Sequence, residues 1–173
     1  TSLFSMQFKI SCLLFVKDCF GRILLIKRKK PPNLGTWSPP GGKLEMCKGE
    51  SPYECAKREA FEEIGLKLKD DDLHMFGYVS EKSYEGNGHW LMFLFDCFPV
   101  LQNLPDEINE GYFQFFNRKE INSLSIPPTD HDLVWPFYDR RDEGFWGVRT
   151  DCSKGVPNLE IEANPTPYIK GDC

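Results

Sequence analysis

The segment Arg58-Glu59-Ala60-Phe61-Glu62-Glu63-Ile64-Gly65-Leu66 gathers three carboxylates around one guanidinium. At about 100° per residue on a helix, Glu59, Glu62 and Glu63 fall within one arc of about 100°. Tyr53, Ala60, Phe61 and Ile64 are expected on the opposite, core-facing side. Like charges so spaced repel by a few tenths of a kcal/mol per pair, so the pattern calls for a cation. Hard oxygen donors suit Mg²⁺ or Mn²⁺, which retain waters and share their coordination with phosphate oxygens. Arg58 is placed to hold one carboxylate in orientation. Spacing alone leaves a second reading open, that of a solvated acidic helix face.

The elements that must position these residues are legible nearby. Ser51-Pro52-Tyr53-Glu54 has the form of a helix start, with a capping Ser, Pro in the first turn and Glu three residues after the cap. Gly65 suits the helix end, because it lacks the Cβ that penalises a left-handed cap. Before the helix, Pro39-Pro40-Gly41-Gly42 breaks regular structure and lets the backbone approach an ion closely, although two glycines also suit a plain turn. Apolar, β-branched runs at 6–16 and 22–27 read as two paired strands, and a long loop over 29–50 carries at most a short extended piece at Trp37. Further strands are expected at 73–81, 89–98 and 112–116, with the Gly86-Asn87-Gly88 turn before the second of them. Helical stretches are expected at 119–124 and 130–138. The domain is assigned to 1–150, and 151–173, with its prolines and scattered polar groups, to an irregular tail. Strands and helices without a regular βαβ rhythm give an α+β class.

Taken together, Glu50, Arg58, Glu59, Ala60, Glu62, Glu63, Gly65 and Leu66 resemble the Nudix box in register. The 43–49 stretch between Gly42 and Glu50 is longer than in that pattern and reads as a loop insertion around Met46-Cys47-Lys48. Gly35-x-Trp37 leading into Pro40-Gly41-Gly42, and Glu110-Gly111-Tyr112-Phe113, extend the resemblance over about 6–125. It implies a Nudix-type α/β/α sandwich with a mixed β-sheet and hydrolysis of a nucleoside diphosphate linked to another group. It also implies that Glu59, Glu62 and Glu63 bind the divalent cation, with the Gly41 carbonyl as a further ligand. Arg58 would orient Glu59, and Glu50 would support them. The general base would come from the box or from a later loop, where Glu107 and Glu110 are the candidates and Glu110 is favoured over a plain surface charge.

Substrate contacts are assigned to Arg28, which ends the second strand in a basic run that could equally be solvated, and to Trp37 and Tyr84 from a set of aromatics that could stack on a base or fill the core. His74, His89 and His131 show no ligand spacing. Tyr84 lies 18 residues past Leu66, which admits a likeness to dinucleoside polyphosphate hydrolases. The absence of proline between Leu66 and Pro99 counts against a likeness to ADP-ribose and NADH hydrolases. A MutT-like hydrolase of nucleoside triphosphates is therefore expected first. Dinucleoside polyphosphates, nucleotide sugars, ADP-ribose and a non-catalytic nucleotide-binding module stand behind it.

Composition sets the outer bounds. A chain of 173 residues, 40% hydrophobic, can bury roughly two-thirds of its unfolded surface and needs no disulfide or metal staple. A net charge of -5 argues against an extended nucleic-acid groove, and no apolar run reaches the roughly 20 residues of a membrane span. Seven cysteines without a CxxC pair read as reduced thiols of a cytoplasmic protein. The apolar 130–146 segment suggests either a homodimer surface or packing onto the same domain.

Overall fold

A computed structural model gives the fold, with residues 7–84, 88–153 and 155–166 described. A six-stranded mixed sheet is built from β1 (Phe8–Phe15), β4 (Gly41–Lys43), β5 (Leu73–Lys82), β6 (His89–Cys97), β8 (Trp146–Asp151) and β9 (Asn158–Ala163). Its order is β4-β1-β6-β5-β8-β9, with β1 and β6 parallel and β5 and β8 parallel. A second sheet, in the order β3-β2-β7, joins β3 (Trp37–Ser38), β2 (Ile23–Arg28) and β7 (Gly111–Phe116), all antiparallel. The mixed α+β architecture agrees with the expected class. The Gly86-Asn87-Gly88 turn falls mostly outside the described residues.

The first two strands do not pair as a hairpin. Beyond one isolated bridge between Lys17 and Ile23, the chain crosses from one sheet to the other. Both strands are apolar on alternate residues in both directions, so each needs cover on two faces, which a two-stranded ribbon cannot give. Cys12, Leu14, Val16, Leu24 and Ile26 enter one core. Phe15, Ile23 and Leu25 enter another. The first core is closed by α1 (Pro52–Ile64), the second by the short helices α2 (Arg118–Ile121), α3 (Asp130–Leu133) and α4 (Trp135–Asp139).

Helix α1 begins and ends where its sequence requires. The Ser51 hydroxyl accepts the Glu54 amide at 3.2 Å, and Gly65 sits at φ 67° with its amide turned back to the Ala60 and Phe61 carbonyls. Ser51→Ala removes that cap and should cost about 1 kcal/mol, or roughly 2–4 °C in a thermal melt. The buried face differs from expectation at one residue. Cys55, Ala56, Ala60 and Ile64 are buried, but Phe61 is 62% exposed. Small residues let the helix lie close to β1 and β4, and Phe61 falls past the edge of that contact.

Leu133, Val134, Trp135, Phe137, Tyr138 and Trp146 all lie inside the second core. Their apolarity is spent within the chain, as packing onto the same domain requires, while Phe145 of the same segment stays 38% exposed. The 151–173 segment is not wholly irregular: Asn158–Ala163 pairs antiparallel with β8 as an edge strand. Its sequence hid this because Leu159 and Ile161 alternate with polar and charged residues and are 40% and 50% exposed, as edge strands tend to be.

Candidate active site

Arg58 organises the acidic end of α1. Its Nε and Nη2 donate to the two oxygens of Glu50 at 2.6 and 2.8 Å, Nη1 donates to Glu59 at 2.8 Å and Glu62 at 3.1 Å, and Nη2 reaches the Lys43 carbonyl at 3.0 Å. The Glu45 amide adds a donor to Glu50 at 3.1 Å. These bonds to Arg58, reinforced by the backbone donor, hold the Glu50 carboxyl down at about 2 despite burial. They hold the guanidinium firmly charged. Glu50 thus fixes Arg58 through a bidentate pair that a lysine could not supply, and Arg58 holds Glu59 by a single charge-assisted bond.

The insertion seen in the sequence is a 3-10 turn, Met46–Lys48, closed by Gly49 at φ 63°. It lies beside Glu45 and Glu50 and leaves the register of the acidic positions intact. Gly42 faces Glu59 so closely that a Cβ there would stand 2.3 Å from its Oε1. The glycine is required by close approach of the carboxylate to the loop.

Glu63 lies deeper. Burial, the charge and hydrogen bond of Glu59, and the charge of Glu110 raise its carboxyl to about 9, while a backbone contact from Gly41 pulls the other way. Burial likewise raises Glu59 against the pull of Arg58. Two carboxyls in contact, with a third nearby, form a site short of positive charge. Arg28, its Nε bound to the Pro32 carbonyl at 2.7 Å, is the cation nearest to relieving it: burial lowers its pKa, and Glu63 and Glu110 oppose that.

These residues share one cleft of about 640 Å³ that contains Arg28, Gly41, Glu59, Glu62, Glu63 and Glu110. Tyr84 also lines it, its hydroxyl donating to Asn33 at 2.6 Å. Trp37 does not line it. In β3 Trp37 pairs with Lys27 and Ser38 with Ile26, so strand alternation turns Ser38 into the cleft and Trp37 to the opposite face. There its ring meets Tyr112 and Phe116 edge-on at 5.5 and 4.8 Å. Glu107 is ion-paired with Lys29 on the surface, half exposed and outside the cleft. Sequence reasoning missed Glu81 and Asp130, both buried polar residues lining the same cleft. One is an isolated acid in a strand and the other follows Pro127-Pro128-Thr129, and neither position carries a local signal.

The donor set suits a hard divalent cation: carboxylates and a backbone carbonyl, with the excess negative charge such an ion would neutralise. Among the described residues no three His, Cys, Asp or Glu side chains already converge as a cage. Mg²⁺ needs no such cage, since it keeps several waters and takes one or two carboxylates alongside substrate phosphates.

Comparison with known proteins agrees with the geometry. A NUDIX domain model matches residues 7–140. An ADP-ribose pyrophosphatase of Methanocaldococcus jannaschii is 33% identical over 125 residues, 71% of this chain and 69% of that protein. In structure, the fold is similar to a MutT protein from Bacillus halodurans, with a TM-score of 0.69 and 22% identity over 92% of this chain and 99% of the other. It is also similar to the NUDIX domain of Shewanella oneidensis NrtR, crystallised with ADP ribose, with a TM-score of 0.62 and 16% identity over 79% and 88% of the two chains. No helix among the described residues is long and apolar enough to cross a membrane. The family model over most of the chain and the curated relative together show that the chain belongs to the NUDIX family, as a hydrolase of phosphorus-containing acid anhydrides.

Proposed function

We propose that the chain is a divalent-cation-dependent pyrophosphohydrolase of small nucleotides, with Glu59, Glu62, Glu63 and the Gly41 carbonyl as the cation's ligands. The observation that carries this reading is the Arg58 network, which holds Glu59 in one orientation beside a buried Glu63 raised by its neighbouring carboxylates. A bound Mg²⁺ or Mn²⁺ would neutralise diphosphate charge and lower the pKa of water. The chain's own residues supply the rest. Arg28 meets a phosphate oxygen, and its planar fork suits that contact. Glu110, in the cleft and within electrostatic reach of Glu63, takes the proton of the attacking water. Tyr84, oriented by Asn33, lines the path of the nucleoside. Trp37 is not part of this proposal.

Glu110→Gln should lower kcat by about 10²–10⁴-fold with little change in KM, because a general base acts only in the transition state. Unchanged kcat would move the base to a box carboxylate.

Two substrate types divide the reading. The 33%-identical relative favours ADP-ribose. The missing proline between Leu66 and Pro99 favours triphosphates or dinucleoside polyphosphates. Chromatographic product analysis with Mg²⁺, over ADP-ribose, nucleoside triphosphates, diadenosine polyphosphates and nucleotide sugars, separates them. Turnover of one class identifies the substrate, whereas nucleotide binding without turnover of any would make the domain a non-catalytic module.

A further inference from the structure

Two thiols that the reaction does not use lie beneath the loop that carries Gly41 and Gly42. Cys12 in β1 and Cys55 in α1 are both 0% exposed, and their sulfurs stand 3.3 Å apart although 43 positions separate them in sequence. Cys12 pairs with Gly42 across the β1–β4 ladder. The Cys55 thiol donates to the Gly42 carbonyl at 3.6 Å, and Arg58 Nη2 donates to the Cys55 sulfur at 3.8 Å. Glu59 follows Cys55 by four residues, one turn along the same helix face. The pair therefore borders each part that places Glu59: the glycine facing it, the guanidinium beside it and the helix turn that carries it.

We propose that Cys12 and Cys55 are a peroxide-sensitive switch, closed to a disulfide by hydrogen peroxide with loss of turnover and reopened by a dithiol reductant. The loss of turnover rests on the pyrophosphohydrolase reading of the cleft, whereas the crosslink does not. A disulfide holds its sulfurs at about 2.05 Å, so closure asks the pair to approach by only about 1.2 Å, with no exchange of strands. Cys12 belongs to the lining of the catalytic cleft, which brings water-sized molecules to it, while burial shuts out a bulkier disulfide oxidant.

The chemistry balances in two steps. The Cys12 sulfur attacks one peroxide oxygen, the O–O bond breaks, and the thiol becomes a sulfenic acid with release of one water. The Cys55 sulfur then attacks the Cys12 sulfur. The S–S bond forms, the S–O bond breaks, and the Cys55 proton leaves with the hydroxide as a second water. Two thiols and one peroxide thus give one disulfide and two waters. Closure draws the Cys55 turn toward β1 and removes the hydrogen that Cys55 gives to Gly42. Gly42 has no slack toward Glu59, so the carboxylate leaves the place where Arg58 holds it. A shift of about 1 Å in a catalytic group lowers turnover by about 10²-fold.

The test uses the full chain, with the exposed Cys19 and Cys47 first capped by iodoacetamide under native conditions. The capped protein is treated with hydrogen peroxide, quenched with catalase, unfolded, alkylated again and digested for peptide mass analysis. A peptide joining Cys12 to Cys55, two hydrogens lighter than the separate peptides, is expected. Turnover with Mg²⁺ should fall about 10–100-fold as that peptide accumulates and return with dithiothreitol, which leaves methionine sulfoxide oxidised. Cys12→Ala should keep its turnover through the same treatment. Cys97, the third buried cysteine among the described residues, packs in the same core and serves as an internal control. The proposal is overturned if no Cys12–Cys55 peptide forms, if Cys12 joins Cys97 instead, or if the crosslinked protein turns over as fast as the reduced one. It is equally overturned if Cys12→Ala loses turnover alongside the wild type. Absence of turnover before peroxide is added overturns the hydrolase reading, and the peptide map then still decides whether the disulfide forms.

Discussion

Glu63→Gln is expected to reduce metal-dependent turnover by about 10²–10⁴-fold while making the metal-free protein more stable. The two effects have one origin. In the metal-free fold, burial and the charges of Glu59 and Glu110 raise Glu63 from its ordinary 4.5 to about 9. A carboxyl raised in this way contributes stability that is complete below pH 4.5 and is lost as pH climbs through about 9. Gln keeps the neutral, hydrogen-bonding shape at every pH but can neither ligate strongly nor titrate. In chelator, the melting temperature of Glu63→Gln should therefore exceed wild type at pH 8 by roughly 2–4 °C per kcal/mol recovered, and the gap should close toward pH 5. Thermal melts at the two pH values, run beside turnover with Mg²⁺, measure both effects. Loss of stability at pH 8, or unchanged turnover, would sink the assignment of Glu63.

The second large effect separates two adjacent glycines. A Cβ on Gly42 would stand 2.3 Å from Glu59 Oε1 and 2.5 Å from its Cδ, and Glu59 cannot swing aside without leaving Arg58. Gly42→Ala should displace that carboxylate and lower turnover by about 10²-fold, the cost of misplacing a catalytic group by about 1 Å, with the melting temperature nearly unchanged. A Cβ on Gly41 instead meets the Cys12 carbonyl at 2.0 Å, across the β1–β4 pairing. Backbone must move to admit it, so Gly41→Ala should cost about 1–3 kcal/mol and lower stability and activity together. Equal melting temperatures for the two variants would contradict this division.

The acidic half of the site was legible because it is local. Glu50, Arg58, Glu59, Glu62 and Glu63 lie in one loop and one helix, and helical periodicity fixes their mutual placement before any tertiary contact forms. The cap at Ser51 and the stop at Gly65 were legible for the same reason. Trp37 was not, because its orientation depends on a two-residue strand whose alternation is set by pairing with Ile26 and Lys27. Asp130 and Glu81 were hidden more deeply. They are separated by β6, β7, α2 and the loops between them, and only the assembled fold brings α3 and β5 to one cleft. The exchange of β1 and β2 between sheets was missed because an apolar run does not say which neighbour will cover it.

The parallel pairing of β1 with β6 also governs when the site can exist. Each β1 residue waits for a partner 81 positions later, Phe8 for His89 and Phe15 for Asp96. Such non-local closure places folding toward the slow, millisecond-to-second end of the range for small domains. During synthesis at about 5–20 residues per second, α1 and its carboxylates emerge several seconds before the strand that anchors β1, and therefore before the floor beneath Gly41 and Gly42. A ribosome-bound chain arrested short of residue 97 should hold the complete acidic motif as an unassembled segment, open to protease throughout.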